Sequence, residues 1–161
     1  MPKPFTILAG LAVVALLLGG AFYLQWDAHM ELKGRVIKVR TLNAIDEATI
    51  VVADCRFENT AGSTYIVGDI KVEIEDAKGQ KTEGMAIAEV DADRVFAGYP
   101  ALGPRFNPNL KVRDKVAAHS TVDRQFSVQF PMPGSVVAAR KRIIVTVREL
   151  DGLESQLLES R

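Results

Sequence analysis

The chain has 161 residues, with 20 Lys and Arg set against 20 Asp and Glu, two His and one Cys. A balanced charge with both signs interspersed excludes the basic stripe of a nucleic-acid-binding protein. One cysteine excludes an internal disulfide, a cysteine-based zinc cluster and a CxxC redox pair, so the fold has to rest on packing.

After a short tail, residues 1–4, the segment Phe5 to Leu24 runs 20 residues without a charge. As a helix it would be about 30 Å long, the thickness of a bilayer's hydrocarbon core. Tyr23 and Trp26 suit the headgroup layer at one end, and Lys3 lies outside the other. The segment is expected to be a transmembrane helix in contact with membrane lipid. A cleaved signal peptide is the competing reading, with Gly19 and Ala21 beside the cut, but the apolar run is longer than such peptides use. Lys33, Arg35, Lys38 and Arg40 past the segment argue for a cytoplasmic domain on the positive-inside rule. Asp27 and Glu31 precede them, and the basic residues belong to a folded strand. The expected placement is therefore the inner membrane with the soluble domain periplasmic.

Residues 25–31 form a juxtamembrane segment, and 32–161 a single β-sandwich domain of ordinary size. Alternation marks strands at about Leu32 to Leu42 and Ala48 to Asn59, the second with Val51, Ala53, Cys55 and Phe57 on its core face. Ile70, Val72 and Ile74 alternate with charges before the turn Asp76-Ala77-Lys78-Gly79, which predicts a hairpin with Lys81 to Val90. Asp91 to Gly98 reads as a short helix capped by Asp91. An irregular connection, Ala101 to Asn109, precedes a strand at about Leu110 to Ala117. Beyond a turn at His119-Ser120, Val122, Arg124, Phe126, Val128 and Phe130 share one side, opposite Asp123, Gln125, Ser127 and Gln129. Ser135 is placed to cap a single helical turn through Ala139. Arg142 to Glu149 is a β-branched strand, and Asp151-Gly152 turns into a last one, Leu153 to Glu159.

Seven to eight strands with one or two short helices and tight turns predict a mainly β fold, an antiparallel immunoglobulin-like β-sandwich. Val51-Val52-Ala53-Asp54-Cys55-Arg56-Phe57-Glu58-Asn59-Thr60 followed by Val67-Gly68-Asp69-Ile70-Lys71-Val72-Glu73-Ile74-Glu75-Asp76-Ala77-Lys78-Gly79 resembles the strand and turn pattern of LEA type 2 and FxLYD-like domains. Phe96-Ala97-Gly98-Tyr99-Pro100 and Phe126-Ser127-Val128-Gln129-Phe130-Pro131 resemble parts of membrane-anchored bacterial envelope proteins. The resemblance implies a small sandwich behind an anchor, and it transfers no catalytic residue.

His29 and His119 stand apart, and no phosphate loop, GxSxG elbow or HExxH pair occurs. Asp91 and Asp93 are too few oxygens for a calcium site. No catalytic, metal or cofactor site is expected, and the chain is not expected to be an enzyme. Phe96, Tyr99, Pro100, Leu102 and Phe106 crowd an irregular segment that either binds a protein partner or closes one end of the sandwich. The expected function is a membrane-anchored, non-enzymatic envelope module that binds a protein or another envelope component through a sheet edge or this loop. The alternatives are a stress-related structural protein of LEA type 2 kind, or a sandwich that holds a small ligand in an apolar cavity.

Overall fold

A computed structural model describes residues 4–25, 32–44 and 47–159. The expected tail ahead of Pro4 and the juxtamembrane stretch with Trp26 and His29 lie outside the described residues.

Helix α1, Pro4–Gln25, is continuous. Its described side chains, 10–23, are all exposed, with Leu16 at 76% and Tyr23 at 81%. No helix among the described residues is long and apolar enough to cross a membrane. The structure thus gives the helix and leaves its crossing a proposal.

The strands are β1 Leu32–Asn43, β2 Thr49–Asn59, β3 Tyr65–Glu75, β4 Lys81–Glu83, β5 Met85–Ala86, β6 Lys115–Val116, β7 Ser120–Phe130, β8 Arg142–Glu149 and β9 Glu154–Leu158. Two short helices, α2 Glu89–Gly98 and α3 Gly134–Ala138, interrupt them. One sheet has the order β1-β2-β7-β5 and the other β4-β3-β8-β9, with β6 beside β3 and every ladder antiparallel. Between them lies the core, in which Phe57, Tyr65, Val67, Phe130, Ile143 and Leu157 are almost fully shielded from water. Phe57 and Phe126 pack edge to face with ring centroids 5.9 Å apart.

The alternation of β2 lands as read, with Val51, Ala53, Cys55 and Phe57 in this core. In β7 Val122, Phe126, Val128 and Phe130 do the same, while Arg124 is half-buried and reaches toward Asp114. The turn after β3 also forms as expected. Asp76 Oδ1 accepts hydrogen bonds from the backbone N–H groups of Lys78 and Gln80 at 2.8 Å each, and Gly79 takes the left-handed φ of 84° that such a turn favours.

Several expectations are corrected. The strand expected over Lys81 to Val90 divides: β4 pairs with β3 for three residues, then Gly84 carries the chain across to the other sheet, where β5 pairs with β7. A Cβ at Gly84 would collide with Val128 and Phe130, so only glycine lets the backbone cross so close to the core. This division makes nine strands among the described residues instead of seven to eight. Helix α2 begins at Glu89, not Asp91; Ala88 occupies the N-cap position, and Asp91 sits in the first turn, where a carboxylate still favours the helix dipole. Over Leu110 to Ala117 only β6 forms, because Arg113 adopts a φ of 71° and turns the chain. The Ser135 cap is absent, since Pro133 holds the N-cap position of α3 and no side chain caps it.

The two open sides of the sandwich are treated differently. On one, β1 approaches β9: the Leu32 N–H donates to Ser155 Oγ at 2.8 Å, and Gly34 leaves room for Leu157. On the other, between β3 and β5, closure is partial.

Candidate functional site

The residues from Phe96 to Phe106 do not close an end of the sandwich. They form a strap across the outer face of the β1-β2-β7-β5 sheet. Leu102 is buried at 2% against Ile50 and Val52, flanked by half-buried Phe96, Tyr99, Val95, Ile87 and Leu42. This second apolar layer explains why Ile50 and Val52, on the face opposite Phe57, are as shielded as core residues. Pro100 is exposed, and Phe106 is 58% exposed.

One side chain from β1 fastens the strap. Arg40 Nη1 donates to the carbonyls of Leu102 and Pro104 at 2.8 Å each, and Nη2 donates to Asp54 Oδ2 at 2.9 Å. The same guanidinium lies 5.3 Å from the ring centre of Phe96 and 5.2 Å from that of Phe106, with the Lys38 ammonium 5.6 Å from the latter. Asn107 Nδ2 donates to the other oxygen of Asp54 at 3.2 Å. The Arg40 and Asp54 side chains are 9% and 5% exposed, so this ion pair sits in low dielectric, and of the Arg40 nitrogens only Nε is buried without a partner. Both oxygens of Asp54 are used. The crowded aromatics are thus spent mostly within the molecule.

A second cluster holds the strap's far side. Arg105 pairs with Glu89 and Asp93, and Glu89 Oε2 also accepts from the Asn109 N–H at 3.0 Å. The Arg105 hydrogen bond is the main reason the Glu89 carboxyl is held below the usual carboxylate range. Asn109 Nδ2 donates to the Ile87 carbonyl, while its Oδ1 accepts from Gln125 Nε2 at 2.9 Å and Ser127 Oγ at 3.1 Å. Gln125 and Ser127, read as lying opposite Phe126 and Val128, are therefore buried with Asn109 as a polar network in which Gln125 Oε1 alone has no partner. Asp91 pairs with Arg94.

The partial closure between β3 and β5 leaves a cleft of about 460 Å³. Its walls are Ile70 and Val72 from β3, Phe126 and Val128 from β7, Ala86 and Ile87 around β5, and Leu110 and Val112 from the connection before β6. Asp69, Glu89 and Lys111 stand among the lining residues as its charged members. Asp69 is paired with Arg148 at 3.2 Å and Glu89 with Arg105. The Lys111 ammonium has no ion pair among the described residues.

The cleft exposes a strand edge. β8 covers one side of β3 from Val67 to Glu75, but on the other side β6 pairs only Tyr65 and Ile66, and β4 only Glu73 to Glu75. Val67 exchanges bonds with Asp114 and Arg113, and the Val72 carbonyl accepts from the Gly84 N–H at 3.0 Å. Gly68 to Lys71 have no strand partner on that side among the described residues. Antiparallel alternation, with the register shift between Val67 and Asp69, turns the N–H and C=O of Ile70 toward this open edge, as it does those of Val72.

None of the cleft residues stood out as a site in the sequence. Ile70, Val72, Phe126 and Val128 read only as core. The available signal was Gly84 inside an expected strand together with Pro108, two positions where a continuous sheet edge is broken.

Cys55 is buried with its thiol pKa pushed up, first by burial and then by the neighbouring Asp54, which makes it an inert core group. His119 is an exposed turn residue with a φ of 51°. Among the described residues no three His, Cys, Asp or Glu side chains are placed to hold a metal ion.

No protein-family model matches the chain, nor does any curated protein. Among solved structures, it is similar to an uncharacterised β-sandwich protein from Clostridium difficile 630, with 14% identity, 81% of each chain covered and a TM-score of 0.38. A likeness that low carries no argument about function.

Proposed function

We propose that this chain is a membrane-tethered, non-enzymatic binding module whose ligand site is the cleft between β3 and β5. The observation that carries the reading is the cleft itself: about 460 Å³ of apolar space within the range that small ligands and inserted side chains fill, beside an uncovered strand edge. It displaces the Phe96 to Phe106 segment as the leading site, because Arg40 and the second apolar layer already occupy most of that surface.

Two finer readings accompany it. The order β1-β2-β7-β5 facing β4-β3-β8-β9 supports an immunoglobulin-like sandwich, whose sheets follow the same pattern of switched strands. Residues Phe5 to Leu24, uncharged within one helix whose described side chains are all exposed, support an anchor in the inner membrane with the sandwich on the periplasmic side. A small apolar ligand is the second reading, favoured by the walls of the same cleft.

The test is a photo-crosslinking amino acid placed at Ala86, which lines the cleft, and separately at Lys78 in the β3–β4 turn, each in the full chain in its native membrane. A single stoichiometric adduct from Ala86 and none from Lys78 is expected. Equal labelling from both positions, or none from either, refutes the cleft as a ligand site.

A further inference from the structure

We infer that the cleft takes an extended peptide segment of a partner protein, which adds as a short strand to the open edge of β3 and places apolar side chains between the two sheets. This rests on the reading of the cleft as the ligand site. Four residues, Gly68 to Lys71, lie between the stretches of β3 that β6 and β4 cover. At about 3.3 Å per residue they offer roughly 13 Å of edge, room for a strand of three or four residues.

The protein guards its other long edge. β1 carries exposed Lys33, Arg35 and Lys38 and a register shift at Ile37, the features that prevent strand addition. β5, β6 and β4 are two or three residues long. β3 also has a register shift, between Val67 and Asp69, and carries the charges of Asp69 and Lys71, but these are held in ion pairs with Arg148 and with Glu73 and Glu83, and Ile70 between them borders the cleft's apolar walls. An alkyl ligand would fill those walls and leave the Ile70 N–H and C=O unanswered; a peptide strand satisfies both together. In an antiparallel addition the residue opposite Ile70 points its own side chain into the cleft and its N–H at β3.

The charge at the cleft selects further. Asp69 and Glu89 are already neutralised by Arg148 and Arg105, whereas Lys111 is exposed without an ion pair among the described residues. The fitting segment therefore has β-branched or other apolar residues at alternate positions and a carboxylate that reaches Lys111.

The experiment uses the full chain in detergent micelles, the hexapeptide DVTVTV, the same peptide N-methylated at every valine, and decanoate. Amide hydrogen exchange is followed across residues 68–72. DVTVTV is expected to slow exchange of the Ile70 and Val72 amides about tenfold or more at saturation, the N-methylated peptide to leave them unchanged, and Lys111→Glu to weaken the peptide about tenfold. Equal protection by the N-methylated peptide overturns strand addition. So does protection of 68–72 that grows with protein concentration in the absence of peptide, which would make a second copy the occupant. If decanoate binds, in a manner abolished by Ala86→Trp, while the peptide is inert, the inference fails and the cleft survives as a site for small apolar acids. If neither probe binds and Ala86 yields no adduct, both readings fail.

Discussion

Replacing Arg40 with methionine keeps most of the side-chain volume and removes the polar contacts by which β1 fastens the strap. Asp54, 5% exposed, would keep only the Asn107 amide as a side-chain partner. Removing one member of a buried ion pair costs about 3–5 kcal/mol, because the surviving charge stays desolvated. The carbonyls of Leu102 and Pro104 lose their donor as well; the Pro104 carbonyl is exposed and recovers water, while the part-buried Leu102 carbonyl adds to the loss, so the total stays near the same range. Arg40→Met should therefore lower unfolding stability by about 4 kcal/mol in urea titrations of the full chain followed by circular dichroism. Adding Asp54→Leu removes the stranded charge, and the double variant should recover about 2 kcal/mol relative to the sum of the single changes. Exchange at the Leu102 amide should accelerate in Arg40→Met before the core amides of β2 respond. A loss below about 1 kcal/mol, or strict additivity of the two substitutions, would refute the clamp.

Val52→Ala should cost about 1.5–3 kcal/mol, as in a main core, because the strap shields it completely; a cost under about 0.5 kcal/mol would show that face to be open to water. Two carboxyls should give pH dependences of opposite sign. The Glu75 pKa is pulled down to about 2 by hydrogen bonds from Lys141 and then Arg142, so its stabilisation is present above the ordinary carboxylate pKa and disappears as pH falls through about 2. Burial raises the Glu149 pKa, and one of its oxygens is buried without a partner, so its contribution is present at low pH and disappears as pH rises through its folded value. Urea midpoints of Glu75→Gln and Glu149→Gln against the parent, from about pH 7 to about pH 2, should reveal slopes of opposite sign; parallel profiles would contradict the assignment. If α1 is an anchor, Leu16→Arg with Leu17→Arg should shift the chain from the carbonate-resistant membrane pellet to the supernatant, since each charge near mid-bilayer costs about 2.5–3.5 kcal/mol on insertion scales. Retention of the double variant in the pellet would count against a bilayer-spanning helix.

The local rules held where one chemical feature decided the outcome. Asp76 and Gly79 made their turn, Gly152 took a left-handed φ of 95° before the last strand, and the alternation of β2 put Phe57 inward. They failed where a residue's fate depended on what lay across from it. Val52 and Gln125 alternate correctly, yet both are buried, because segments distant in sequence, Leu102 at Val52 and Pro108 to Leu110 at Gln125, cover the face opposite the core. Arg40 looked like one of four basic residues on a strand, and its ion pair 14 positions away had no signature in the spacing.

By itself the sequence determined the period of the strands, the turns that contain glycine, the absence of a disulfide, and a 20-residue stretch without charge. These are properties of neighbouring residues, set by sterics, hydrogen bonding within a few positions and side-chain chemistry. The tertiary structure decided which sheet each strand joined, which face was covered twice, and where the sandwich stayed open. The crossing at Gly84 shows why. Whether the backbone there continues as a hairpin or passes to the opposite sheet depends on Val128 and Phe130, which reach it only after the two sheets have packed. The cleft beside Ile70 is the consequence: an edge that is open because β4 ends after three residues and β6 begins elsewhere.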